Sequence, residues 1–124
     1  YNKDYEKENS WLSTNETEVE KYNTSKYCGY TFTTNGFINL YKLMIQAFKK
    51  NYQVNNPNLK IFLIAGSDDP VIQSKEKFNE LKEFLSKIGY SNIKSKLYKN
   101  MRHEILNETN NELVYEDVLN FFDN

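Results

Sequence analysis

The sequence predicts an α/β fold, the closing third of a larger doubly wound parallel sheet. Three observations carry this. Residues 61–71, IFLIAGSDDPV, open as an apolar run and end in a glycine and two aspartates. Residues 96–108, KLYKNMRHEILNE, open as a strand and run into the only histidine of the chain, His103. Between them, residues 74–88 carry a helical period. Two strands joined by a helix lie parallel, so their C-terminal ends open on one edge of the sheet, where open α/β sheets bind ligands. A two-strand unit with exposed edges is a poor independent domain, so the sheet is expected to be incomplete without an N-terminal portion. A start at Tyr1, not Met, is read the same way.

Taken in order, residues 1–10 are polar and are expected to be loose, with Trp11 and Leu12 as the first apolar anchors. Residues 14–22 (TNETEVEKY) predict a short helix with Thr14 as N-cap and Glu16 in its first turn. Residues 23–34 show no period and predict a loop with partly buried aromatics. Phe37, Leu40, Tyr41, Met44, Ile45 and Phe48 then fall on one helical stripe, which predicts a helix with one apolar face. Residues 53–58 stop it, with Pro57 as the breaker. Leu59–Ala65 is apolar apart from Lys60, which predicts a parallel strand covered on both faces. Ser74–Ile88 places Phe78, Leu81, Phe84, Leu85 and Ile88 inward, with Ser74 as cap and Gly89 as the closing turn. Ile93, Ser95 and Leu97 alternate with Lys94 and Lys96, as in a strand nearer the sheet edge. A last helix runs from about Glu112 to Phe122 with Val114, Val118, Phe121 and Phe122 apolar.

Composition excludes several classes. The 124 residues allow one domain with a modest core. A formal net charge of −1, with a single Arg (Arg102) among 16 basic residues, gives no electrostatic footprint for nucleic acid. One cysteine, Cys28, excludes an internal disulfide and a Cys-based zinc site. No apolar run approaches the roughly 20 residues that span a bilayer, and no signal peptide is visible, so a cytoplasmic protein is expected. The N-x-S/T matches at Asn15, Asn23 and Asn107 follow from an Asn-rich composition.

The chemistry-bearing residues gather at the strand ends. Asp68 and Asp69 follow Gly66, which is expected to let the backbone turn sharply beneath them. S-D-D-P is also ordinary turn chemistry. His103 lies 34 residues after Asp69, one βα unit on, so both emerge on one edge from strands roughly 4.8 Å apart. An Asp beside a His at such an edge is two thirds of a Ser–His–Asp hydrolase, in which the carboxylate holds the imidazole tautomer. Alternation lets only one of the two aspartates face His103, and spacing alone leaves both open. No G-x-S-x-G occurs in these residues. Neither Ser67 nor Ser74 sits on a strand-to-helix elbow, and Cys28 precedes a helix without following a strand, which argues against it as a nucleophile.

Several strings together resemble the C-terminal portion of the α/β-hydrolase superfamily: IFLIAGSDDPV, LYKNMRHEILNE and VYEDVLNFF, with SWLSTNETEVEKY and YCGYTFTTNGF upstream. The resemblance is to the monoacylglycerol lipase/lysophospholipase group, also grouped with serine aminopeptidases, and it covers nearly the whole chain. RHEILNE is its specific string, whereas G-x-x-D-P is common. The resemblance implies residues 1–34 as a lid- or cap-derived segment and 35–124 as the C-terminal part of the α/β-hydrolase core. It implies Asp69, the aspartate of G-x-x-D-P, and His103 as catalytic residues, with the serine upstream. It implies hydrolysis of carboxylic esters of lipids, monoacylglycerols or lysophospholipids, without a cofactor or metal. Trp11, Tyr27, Tyr30, Phe32 and Phe37 become candidates for lid and acyl pocket, with Phe37 favoured as core. The implied partners are a lipid ester substrate, the N-terminal portion of the same protein, a membrane surface touched through the lid, and other copies of the chain. This chain alone is expected to be inactive. Two other readings exist. A strand ending in an acidic pair also suits a receiver-like phosphoacceptor domain, although the second acidic pair is missing. A non-catalytic binding remnant of the hydrolase fold would need no serine.

Overall fold

The structure, a computed structural model, describes residues 5, 7–49, 51 and 53–123. The loose segment expected over residues 1–10 therefore lies partly outside the described residues, and Lys7–Leu12 form turns.

The elements follow in the order α1 (Glu16–Thr24), α2 (Thr34–Ala47), β1 (Ile61–Gly66), α3 (Lys75–Ile88), β2 (Ile93–Tyr98), a 3₁₀ turn (Ile105–Asn107) and α4 (Glu112–Asp123). β1 and β2 pair in parallel from Ile61↔Ile93 to Gly66↔Tyr98, with α3 as the crossover. The register brings both strand ends to one edge, as the sequence predicts. α3 begins where Ser74 accepts a hydrogen bond from the Lys77 N–H, 3.2 Å away. It ends at Gly89, whose φ of +121° lies in the region that side chains avoid.

α4 packs under the sheet. Tyr98, Met101, Ile105 and fully buried Val114 form a core cluster, flanked by Ile64 and Val118. Phe62 of β1 stacks on Phe121 with centroids 5.1 Å apart. The Lys96 ammonium and the Tyr98 phenol both donate to one oxygen of Asp117. Those two hydrogen bonds, Lys96 first, hold the Asp117 carboxyl below the usual carboxylate range. Burial, with the Asp117 contact second, pushes the Tyr98 phenol well above its ordinary value.

Several expectations are corrected. The N-cap of α1 is Asn15, which accepts from the Thr17 N–H, and not Thr14. Thr14 gives both its N–H and its hydroxyl to Glu108, so it has no part in capping. The loop before α2 does not bury its aromatics: Tyr27 and Tyr30 are exposed, and Phe32 is partly so. The apolar stripe of α2 forms the predicted helix, yet no residue of α2 is buried. Phe37, favoured as core, is 41% exposed, and Ile45 is 67% exposed. Nor is β1 covered on both faces, since only Ala65 and Gly66 at its end are buried. The differences in burial share one feature: the apolar stripe of α2 and the start of β1 are left uncovered among the described residues.

Candidate functional site

The site lies where β1 and β2 end. Ser67 N–H donates to the Tyr98 carbonyl (2.8 Å) and Asp68 N–H to the Met101 carbonyl (2.9 Å), so the two exits run together beyond the ladder. The Ser67 hydroxyl adds a cross-tie, accepting from the Asn100 N–H at 2.9 Å and donating to Asp68 Oδ1 at 2.6 Å. The exits approach so closely that a Cβ on Gly66 would stand 2.1 Å from the Met101 carbonyl oxygen and 2.2 Å from that of Arg102. Gly66 is thus required by backbone crowding. The sharp-turn role expected from the sequence is not its reason, because its φ is not positive.

Of the two aspartates, Asp69 meets the histidine. Its Oδ2 lies 3.1 Å from His103 Nδ1, and its Oδ1 accepts from the Val71 N–H at 2.8 Å. One carboxylate therefore serves both the turn and the imidazole, and the two readings of S-D-D-P hold together. The Asp69 side chain is 5% exposed, whereas that of His103 is 39% exposed. A neutral imidazole that donates Nδ1–H to a buried carboxylate carries its lone pair on Nε2. It can accept a proton there, and the carboxylate then faces the resulting cation. The Asp68 carboxylate is instead held by Ser67.

Residues 10–14 run beside residues 102–108 and brace the histidine loop. The Arg102 guanidinium donates to the Ser10 carbonyl and to that of Ser13, and stacks over the Tyr5 ring at 4.9 Å. Glu104 N–H donates to the Leu12 carbonyl at 2.7 Å. Ser13, almost fully buried, donates to the Asn107 carbonyl at 3.2 Å. Trp11 lies against the His103 ring with centroids 5.2 Å apart.

Glu108 holds the brace together. It is 2% exposed, and its Oε1 accepts from the Arg102 N–H at 2.6 Å while its Oε2 takes the Thr14 N–H at 2.9 Å and the Thr14 hydroxyl. Sequence reasoning gave Glu108 no role, although it closes the RHEILNE string. The available signal was an acidic residue one turn beyond an apolar Ile105, at a position that local patterning assigns to solvent. Glu108→Ala removes the acceptor of three donors, and unsatisfied buried donors are expensive. A loss on the order of 3 kcal/mol in urea unfolding is expected, with Glu108→Gln losing less. An unchanged midpoint for Glu108→Ala would show that water replaces the carboxylate freely.

Tyr27, Tyr30, Phe32 and Phe37 do not line the Asp69–His103 contact. Tyr30, Phe32, Phe37 and Tyr41 form a separate exposed string, with Tyr30–Phe32 at 5.6 Å, Phe32–Phe37 at 5.5 Å and Phe37–Tyr41 at 6.5 Å. Among the described residues no cluster of His, Cys, Asp and Glu could hold a metal ion, and no helix is long and apolar enough to cross a membrane.

Comparison with known proteins bears on the family and the fold. The model of the family described as serine aminopeptidase, S33 matches residues 3–110. The solved structure of a highly thermostable carboxyl esterase from Bacillus coagulans, in complex with glycerol, is similar at a TM-score of 0.73 and 25% sequence identity. The match covers 98% of this chain and 40% of the esterase chain, so these residues span well under half of that protein's length. No curated protein matches.

Proposed function

Because the chain belongs to the serine aminopeptidase S33 family and carries part of an α/β-hydrolase fold, we propose that it supplies the acid and base of a serine hydrolase acting on carboxylic esters. The observation that carries this reading is the 3.1 Å contact between Asp69 Oδ2 and His103 Nδ1 at the common end of two parallel strands. A serine from outside these residues attacks the ester carbonyl. His103 takes its proton on Nε2 and returns it to the leaving alcohol, while Asp69 fixes the ring and faces the imidazolium. Residues 1–34 are the lid-side segment and 35–124 the closing part of the core. Family membership displaces the receiver-like reading.

The finer substrate class we propose is the lipid ester, a monoacylglycerol or lysophospholipid. In support, the exposed string of Tyr30, Phe32, Phe37 and Tyr41 offers a continuous apolar track, of the kind that takes an acyl chain or touches a membrane surface. The open edge of β1 and the rest of the α2 stripe, Leu40, Met44, Ile45 and Phe48, are the surfaces on which the N-terminal portion of the protein would sit. The enzyme is taken to be cytoplasmic, which cell fractionation checks.

The test compares two proteins. The complete enzyme should hydrolyse p-nitrophenyl esters and monoacylglycerol, and a fluorophosphonate should label one serine outside these residues. The 124-residue chain alone should show no turnover and should sediment as an associated species, through α2 and the β1 edge. Failure of the complete protein to bind the phosphonate would leave a non-catalytic remnant of the fold. Turnover by the chain alone, abolished by His103→Ala, would sink the division of labour.

A further inference from the structure

The only tryptophan of the chain lies against its only histidine. The pairing is flanked by one side-chain and one backbone hydrogen bond. Arg102 and Glu104, on either side of His103, are bonded to the carbonyls of Ser10 and Leu12, on either side of Trp11. The two aromatic residues thus sit between the same two cross-links, which keep their segments side by side. Ser13 and Thr14 extend the ladder through Asn107 and buried Glu108. The rings are tilted by 39° at a centroid separation of 5.2 Å, within the roughly 6 Å over which an indole attracts a cation.

We propose that Trp11 is a positioning residue for His103, favouring its imidazolium form through the indole π-system while Asp69 holds Nδ1. This rests on the acid–base reading of His103 and assigns Trp11, until now a candidate for the acyl pocket, to the base itself. The cation forms when Nε2 takes the serine proton, so an indole that attracts the cation acts at the charged stage of the reaction and little on substrate binding. Among the described neighbouring charges, Asp69 is the one bonded to the ring. Asp68 is bonded to Ser67, the Arg102 guanidinium to Ser10 and Ser13, and Glu104 to the Asn107 amide. The indole contacts the ring beside the Asp69 bond.

The experiment is a titration of the His103 Cε1 proton by NMR in the complete protein, with the resonance assigned by its loss in His103→Ala. Trp11→Leu is expected to lower the His103 pKa by about half a unit, about threefold in its protonation constant. Trp11→Phe, which keeps a weaker aromatic face, should fall between. If Trp11→Leu fails to fold, the Phe and Tyr variants give the same comparison, with both expected below wild type. In the complete enzyme the acid limb of kcat/KM should move down in pH with the titration, and kcat should fall with KM nearly unchanged. A His103 pKa equal in all variants, or raised by Leu, overturns the proposal, whatever the variants do to stability. The titration needs neither serine nor substrate. Its failure is therefore distinct from failure of the hydrolase reading, which the phosphonate test addresses.

Discussion

His103→Ala in the complete enzyme is expected to lower ester turnover by about 10⁴- to 10⁶-fold, and Asp69→Asn by about 10⁴-fold. The two figures differ because the residues act at different removes. Without His103 no group is left to take the serine proton. In Asp69→Asn the ring remains, but the new amide can donate to Nδ1, and the proton then sits on Nε2, the nitrogen that must be bare. The Val71 N–H bond to Oδ1 tells against a trivial loss of structure. An amide oxygen can keep that bond, so Asp69→Asn should unfold near the wild-type midpoint. Asp68→Asn is the internal control, because its carboxylate is engaged by Ser67 and not by the ring. The measurement is kcat/KM on a p-nitrophenyl ester for the three variants. Turnover within about tenfold of wild type for His103→Ala, or a larger loss for Asp68→Asn than for Asp69→Asn, would remove the assignment.

Gly66→Ala is the second substitution with a large expected effect, and it adds only a methyl group. That methyl would stand 2.1 Å from one backbone carbonyl oxygen and 2.2 Å from the next. Neither obstacle is the movable end of a side chain. The exits of β1 and β2 must separate, and the bonds from Ser67 to Tyr98 and from Asp68 to Met101 lie directly in the path of that separation. Overpacking by a methylene usually costs about 1–3 kcal/mol, and a backbone obstacle should bring the loss to about 3 kcal/mol or more. Because the same movement draws Asp69 away from His103, turnover should fall further than stability predicts. Thermal unfolding together with kcat separates the two effects. A variant with wild-type melting and wild-type rate would mean that the loop after β2 yields at little cost.

The sequence disclosed what is local in this fold. The crossover β1–α3–β2 was legible because each of its elements carries its own period and its own stops, Ser74 and Gly89 among them. Asp69 and His103 were legible as a pair because parallel strands must end on one edge, although geometry alone left Asp68 open until the G-x-x-D-P resemblance chose. What escaped was non-local. Thr14 is a good N-cap by every local rule, but Glu108, 94 residues away, takes its hydroxyl and N–H. Glu108 itself is a charged residue in a polar stretch, and nothing nearby announces that three donors converge on it. Gly66 was noticed for flexibility when its necessity is the carbonyl of Met101. The stripe of α2 was legible as helical, and Phe37 was wrongly favoured as core, since periodicity tells which face is apolar and not what stands opposite.

The ladder between residues 10–14 and 102–108 also governs when the site can come into being. Arg102 reaches back 92 residues to Ser10, and Glu108 reaches back 94 to Thr14. During synthesis the early segment leaves the ribosome with none of these partners made, and it waits through most of the translation of these residues. Closing so long a loop is entropically costly until the strands and α3 have drawn its ends together. The histidine is therefore among the last parts of the chain to be seated, fixed only after Glu108 has emerged to tie the two ends of this segment together.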